Sequence, residues 1–343
     1  MVSSTRPVKP DLPSTRKPEA AAIDAPSATA SAGTARRAVV LLALVIVLWG
    51  ANWPAMKVGL DYIPPLWFAA ARVLLGCATL FAVLAAIGRM RLPHRSDLPV
   101  IASIGLLQVA GFLALVNLGL QTVEAGRSAI LAYTPPLWIA PLAFVFLRER
   151  LGGRKLAALA FGALGLGILF SPLTFDPAAP GAIAGNGLLL GAAAAAAVSI
   201  VHVRGHRWQG SALQLMPWAM LLAGAALAGL AAVIEPVSDI RWTGTLAVVL
   251  AYNGPVASGF CFWAFVTVQR TLPAVTTAIG SQGVPVAGML FSAVALSEAL
   301  TAGMLAGFGL IAAGVAVLAF GYRRPESTDP ASDSGCQHPA KTP

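Results

Sequence analysis

The chain has 343 residues, of which 57% are hydrophobic and only 11% charged, and its mean hydropathy is +0.77. That composition excludes an ordinary water-soluble domain and makes a membrane protein the first reading. The net charge of +9 does not point to nucleic acid, because Lys and Arg fall in short clusters between apolar runs and not along one continuous face.

Residues 1–37 are rich in Ala, Ser, Thr and Pro with scattered Arg and Lys, a composition that buries too little apolar surface to fold, and read as a disordered cytoplasmic tail. The first apolar run is too long for the core of a signal peptide. It carries Pro54 and Lys57 near its end in place of a small-residue cleavage site, so it is expected to be retained as a helix. A hydrocarbon core about 30 Å thick needs roughly 20 apolar residues per helix. Runs of that length follow one another at 38–59, 65–87, 98–119, 124–146, 154–172, 183–204, 212–233, 244–267, 272–295 and 301–321. Stretches such as Gly191 to Val198 do not alternate as the strands of a β-barrel would. The fold class expected is therefore an all-α integral membrane protein of ten transmembrane helices. Residues 322–343 read as a second disordered cytoplasmic tail.

Positively charged loops are retained in the cytoplasm, and with the N-terminus inside, 19 of the 23 Lys and Arg fall on that side. Lys57, Arg72, Arg127 and Arg241 lie in or near the opposite half. Both termini are thus expected to be cytoplasmic, which requires an even number of spans. Cys77 and Cys261 lie in apolar segments and Cys336 in the tail, with no spacing for a disulfide framework or a metal site. No cofactor and no metal are implied.

Shifted by 149 residues, Thr122–Leu169 falls on Thr271–Leu318 with 14 of the 48 positions identical and no gap. Pro136 meets Pro285, Glu149 meets Glu298, Leu151 meets Leu300 and Gly165 meets Gly314. Two repeats, 38–173 and 183–321, each of five helices, must enter the membrane in opposite senses. Such inverted repeats can exchange conformations and open a central site to one side and then the other.

Several motifs carry a family resemblance. Trp49-Gly50-Ala51-Asn52-Trp53 is followed by Pro54 and Lys57, then by Pro65 and Arg72. Tyr133-Thr134-Pro135-Pro136 leads to Phe146-Leu147-Arg148-Glu149-Arg150-Leu151, and a weaker second copy ends at Leu296-Ser297-Glu298-Ala299-Leu300. Over residues 38–321 the chain resembles the EamA family of the drug/metabolite transporter superfamily. The resemblance implies a ten-helix bundle in a bacterial inner membrane that moves amino acids or related metabolites, usually outward, through a central cavity. The second copy has Gln282-Gly283-Val284-Pro285 where the first has Tyr133, so the halves need not contact substrate equally. Helix one lacks the deep carboxylate of the small multidrug relatives, which disfavours proton antiport of cationic drugs.

Polar and aromatic residues at membrane depth are the candidates for a substrate cavity: Asn52, Trp53, Arg72, Gln108, Asn117, Tyr133, Trp138, Tyr252, Asn253, Trp263 and Gln282. Each buried polar group needs a partner, and either a neighbouring helix or a bound ligand supplies it. Arg72 lies about 10 Å into helix two at ~1.5 Å of rise per residue. It reads either as a contact for an anionic group or gating partner, or as a donor to interhelical carbonyls. Lys57 is placed to snorkel to the outer interface, and Trp67 and Trp242 to join an aromatic belt. Pro54, Pro136, Pro255 and Pro285 are expected to interrupt apolar helices and kink them. Glu149 and Glu298 stand beside turn-forming sequence, where capping is the first reading ahead of proton coupling. The Gly187/Gly191 and Gly303/Gly307 pairs permit close helix approach within a monomer, although a weak homodimer would use the same pattern.

The partners expected are a small-molecule substrate and the lipid bilayer, with no nucleic acid. An intramembrane enzyme would need convergent nucleophile, acid or metal groups, yet the one histidine within a span is His202. A Gly-rich nucleotide-binding motif is missing from the sequence, so transport is expected to be secondary. A binding sensor, a channel and an uptake permease are the rival readings.

Overall fold

A computed structural model describes residues 32–146, 148, 152–171, 174, 176–206, 209–272, 277 and 280–320. Most of both expected tails, and Glu149 and Leu151 of the Phe146–Leu151 motif, lie outside these. Among the described residues every regular element is a helix. In hydrocarbon, where no water completes backbone hydrogen bonds, a helix satisfies them within one segment.

Helix α1 (Ala32–Gly59) begins six residues ahead of the span read from the sequence and is followed by α2 (Pro65–Ala86). Next come α3 (Leu98–Ser103), a π-helical stretch (Ile104–Gly111) and α4 (Phe112–Leu120), in direct succession. Then follow α5 (Ala125–Ala132), α6 (Pro135–Phe146), α7 (Gly153–Leu169), α8 (Ala182–Gly205) and α9 (Ala212–Ile234). The second half continues with α10 (Gly244–Ala251), a second π-helical stretch (Tyr252–Phe260), α11 (Cys261–Thr271), α12 (Gly283–Leu296) and α13 (Ala302–Phe320). Among the described residues seven helical stretches are long and apolar enough to cross a membrane: Arg36–Gly59, Pro65–Ala86, Arg95–Leu120, Ala125–Phe146, Ala182–Val203, Leu213–Ile234 and Gly244–Phe265. Gly283–Leu296 and Ala302–Leu318 are shorter apolar helices, and α7 has 17 residues.

Local chemistry explains where the helices start and break. Ser211 and Gln214 form a reciprocal capping box at the start of α9, and the Thr243 hydroxyl accepts from Leu246 N at 3.2 Å to open α10. Pro255 has no N–H for the carbonyl four residues back and its ring crowds that carbonyl, so the helix widens there to a π-helical repeat. The stretch at 104–111 has no proline. It begins 148 residues before the other, one residue short of the offset of the sequence repeat.

Pro54 and Pro255 lie inside helical segments, as expected, and so do Pro141 and Pro217. Pro136 and Pro285 do not kink continuous helices. They are the second residue of α6 and the third of α12, in the first turn, where a missing N–H costs nothing. The expected span 124–146 is accordingly two helices, divided at Tyr133–Thr134.

At the end of the bundle where α1 finishes, carboxylates and cations bind backbone. Glu298 accepts from Ala125 N at 2.6 Å and Gly126 N at 2.8 Å, capping α5. Glu235 does the same for α2, accepting from Leu66 N and Trp67 N at 3.0 and 3.1 Å. Lys57 does not snorkel. Its ammonium donates to the carbonyls of Leu120, Gln121 and Val123, at and just beyond the end of α4. The Trp67 indole N–H donates to Glu235 O at 3.1 Å, whereas Trp242 is 75% exposed. Buried Arg127 donates to Asn186 Oδ1, Leu169 O and Thr174 O, joining α5 to α8 and to the end of α7. At the other end Asp97, 1% exposed, accepts from Gln209 N at 2.7 Å and Gly210 N at 3.1 Å.

Helices α7 and α13 meet backbone to backbone. A Cβ on Gly165 would stand 2.6 Å from Gly307 O, and one on Gly314 2.8 Å from Ala158 O. Gly303 and Gly307 belong to this contact region, but Gly187 has nothing within 4 Å of an added Cβ, so that pair forms no seam. Gly165→Ala should therefore lower the melting temperature of the detergent-solubilised protein, at a cost of about 1–3 kcal/mol for overpacking. Gly187→Ala should leave it unchanged or raise it.

Candidate functional site

Between α1, α2, the two π-helical stretches and the α5–α6 break lies a cavity of about 270 Å³. Asn52 and Trp53 reach it from α1, Arg72 from α2, Gln108 from the first π-helical stretch, Tyr133 from the break and Gln282 from the turn before α12. Six of the eleven residues singled out from the sequence thus share one wall, and Pro136 joins them. Tyr133 and Gln282 are 149 residues apart, the offset of the sequence repeat.

The other five make their contacts elsewhere. Asn117 Nδ2 donates to Pro65 O at 3.1 Å and fastens α4 to the start of α2. Asn253 Nδ2 donates back to Val249 O at 3.1 Å on its own helix. The Tyr252 hydroxyl binds Leu48 O, Trp138 Nε1 donates to Thr134 Oγ1 at 3.4 Å, and the Trp263 ring packs 5.8 Å from Phe260. Sequence composition gave these residues the same chemistry as the first six; the rotation of each helix directs them to neighbouring protein.

The cavity also takes residues that sequence reasoning passed over: Trp49, Met56, Phe112, Ser258, Phe262 and Ser281. Trp49 stood within the Trp49–Trp53 motif, four residues from Trp53 by count and one helical turn by geometry, so its motif was the available signal. Its Nε1 donates to Ala257 O at 2.7 Å, a carbonyl of the second π-helical stretch. Ser258 had no signal in the sequence. It accepts from Arg72 Nε at 3.5 Å and donates to Asn253 O at 2.7 Å.

Charge in this cavity is one-sided. Arg72 is 4% exposed, and among the described residues its hydrogen bonds run to the Ser258 hydroxyl and to the Met56 thioether, a weak acceptor. Among the described residues no carboxylate lines the cavity. The amide oxygens of Asn52 and Gln282, residues 6% and 8% exposed, accept no hydrogen bond from any described residue. Five aromatic rings, Trp49, Trp53, Phe112, Tyr133 and Phe262, supply much of the remaining surface. A cation, unpaired acceptors and flat apolar walls suit a small organic ligand.

The sequence profile of the EamA-like transporter family matches residues 36–171 and again residues 183–320. The chain belongs to the EamA-like transporter family. This EamA-like protein is 27% identical over 283 residues to the uncharacterized transporter YoaV of Bacillus subtilis (strain 168), spanning 82% of this chain and 96% of that one. It is 28% identical over 301 residues to a probable amino-acid metabolite efflux pump of Escherichia coli (strain K12), spanning 84% and 96% of the two chains. A protein of known crystal structure, 21% identical, shares the fold with a TM-score of 0.60 over 84% of this chain and 99% of its own. EamA-like membership and the seven membrane-length helices make this a multi-pass membrane protein, and the names of its relatives indicate a transporter and not an enzyme.

The Glu298 contacts join the loop before α13 to the N-terminus of α5, whose other end forms part of the cavity wall. Glu298→Ala should leave two amides of α5 without their charged acceptor and cost about 1–3 kcal/mol. Faster hydrogen exchange at Ala125 and Gly126, together with a lower melting temperature, would report it.

Proposed function

We propose that this EamA-like protein is a secondary transporter that exports amino acids or closely related metabolites across a bacterial inner membrane by alternating access. The observation that carries this reading is the single cavity wall shared by Tyr133 and Gln282, two residues at the repeat offset, each standing where a helix breaks. In the proposed architecture α3 to α4 and α10 to α11 act as single spans, as do α5 with α6 and the segment ending in α12. Ten membrane-crossing segments result. They form two five-helix repeats, 38–173 and 183–321, in opposite orientations, with both termini in the cytoplasm. The two matched stretches of the family profile and the paired π-helical stretches support the repeat. The asymmetry of Lys and Arg supports the orientation.

Alternating access follows from this arrangement in physical terms. When two like bundles pack around a site, exchanging their two conformations closes one mouth and opens the other, with little change at the ligand. Hinges belong where backbone hydrogen bonding is already irregular, at the two π-helical stretches and at the breaks beside Tyr133 and Gln282. The efflux-pump names of relatives support the outward direction and the cargo class.

Proteoliposomes loaded with a mixture of amino acids should release a subset of them faster than protein-free vesicles. Asn52→Ala and Tyr133→Ala should each slow that release by about tenfold, equivalent to ~1.4 kcal/mol, while Trp138→Phe, away from the cavity wall, should not. Equal release from all samples would end the transporter reading.

A further inference from the structure

Among the described residues the three histidines, His94, His202 and His206, gather at one end of the bundle. We infer that His202 and His206 form a two-ligand site there for a divalent transition-metal ion of the zinc and copper kind. The site is separate from the central cavity and does not rest on the transporter reading. In the segment before α3, His94 Nδ1 accepts from Ser96 N at 3.2 Å. The Ser96 carbonyl in turn takes a hydrogen bond from His206 Nε2 at 3.1 Å. The His202 ring stacks on that of His206, with 5.6 Å between centroids and 27° between planes.

Spacing, protonation and charge all suit this pair to a metal. The two residues are four apart at the end of α8, where side chains at i and i+4 stand one above the other. Two imidazoles on one tetrahedral ion, each nitrogen ~2.1 Å from it, place their ring centres roughly 5 Å apart. The observed 5.6 Å is a small side-chain rotation from that value. A carbonyl oxygen only accepts, so the His206 nitrogen facing Ser96 O carries a proton, and in the neutral ring Nδ1 keeps the lone pair that a metal needs. A ligating histidine ordinarily donates its other N–H to a carbonyl in this way, which fixes the tautomer and orients the ring. His206 is also the C-cap of α8, where the last helical carbonyls lack partners and the helix dipole is negative, a favourable place for a cation.

The surroundings set the coordination. His202 is exposed and His206 half-buried, so an ion can reach the pair. Both rings border a second cavity, of about 350 Å³, whose other side chains, Leu142, Phe146, Val198 and Val201, are apolar. Among the described residues no third His, Cys, Asp or Glu joins the pair. Imidazoles therefore fill two positions on the ion, and water or a small donor ligand held in the apolar cavity fills the rest. Neutral nitrogen ligands select late first-row ions over Mg²⁺ and Ca²⁺, which take oxygen. An ion clipped across the last turn of α8 also ties that turn, through the His206 bond to Ser96, to the segment leading into α3.

The full-length protein, purified on a tag without histidine, is titrated with Zn²⁺, Ni²⁺, Cu²⁺ and Mg²⁺ by calorimetry, and its Cu²⁺ complex is recorded by electron paramagnetic resonance. One ion should bind per chain, most tightly for Cu²⁺ and not at all for Mg²⁺, with a spectrum showing two imidazole nitrogens. His202→Ala and His206→Ala should each weaken Zn²⁺ binding by at least about tenfold, since even an outer-shell partner is worth that much. His338→Ala, in the C-terminal segment, should leave the affinity unchanged. Zn²⁺ should raise the melting temperature of the wild type and of neither His202→Ala nor His206→Ala. No binding, a spectrum with one nitrogen or none, or unchanged affinity when both histidines of the pair are replaced by alanine would overturn the inference. Loss of binding in His338→Ala would overturn it as well, by moving the ion to the tail. If a variant does not fold, the nitrogen count on wild-type protein decides alone.

Discussion

A bilayer gives no hydrogen bonds to the groups buried in it, and that constraint shapes every part of this molecule. Backbone groups meet it by forming helices. Side chains meet it by reaching across to carbonyls and amides: Lys57 to the segment after α4, Arg127 to α7 and α8, Glu235 and Glu298 to the first turns of α2 and α5. In each case a charge is placed against the helix end of opposite partial charge or against unpaired backbone. These polar joints stand at the ends of the helices, where the apolar stretches leave room for them. Deep in the bundle Asn117 Nδ2 follows the rule, tied to Pro65 O, while the buried amide oxygens of Asn52, Asn117, Asn253 and Gln282 accept from no described residue.

Around the cavity the backbone is irregular. Both π-helical stretches, the Tyr133–Thr134 break and the turn at Gln282 contribute to the same cavity wall. Non-helical backbone at membrane depth is tolerated only where protein or a cavity covers it. The interrupted helices and the cavity are therefore a single feature of the fold and not two. Tryptophan chemistry reinforces it, since Trp49 donates to a carbonyl of the second π-helical stretch and so ties α1 to it.

How much of this was legible in the sequence differs by the physics involved. Apolar run length located most of the described helices within a few residues, because hydrocarbon thickness fixes the number needed. The division at Tyr133–Thr134 was not foreseen as a break, although the two prolines after it carry the reason: residues with no N–H begin helices more readily than they continue them. The π-helical stretch at 104–111 left no mark, having no proline to force it. Helix rotation was equally hidden. In helices rich in Ala, Leu and Val on every side, no apolar stripe shows which face is inward. Asn52 and Asn253 consequently read alike, yet one lines the cavity and the other bonds to its own helix. Lys57 misled for a related reason. Its position near a helix end suits the interface, and only the placement of neighbouring carbonyls shows that it faces protein.

Among the described tryptophans, Trp49 and Trp53 alone stand on the cavity wall. Trp49 is fixed by its hydrogen bond and set against Phe262 and Phe265, with ring centroids 5.6 and 5.2 Å away, while Trp53 is 4% exposed. Indole emission depends on the polarity and mobility of its surroundings. The protein thus carries two native fluorophores at the point where a ligand displaces solvent, and its own ultraviolet emission becomes an optical gauge of occupancy that needs no label.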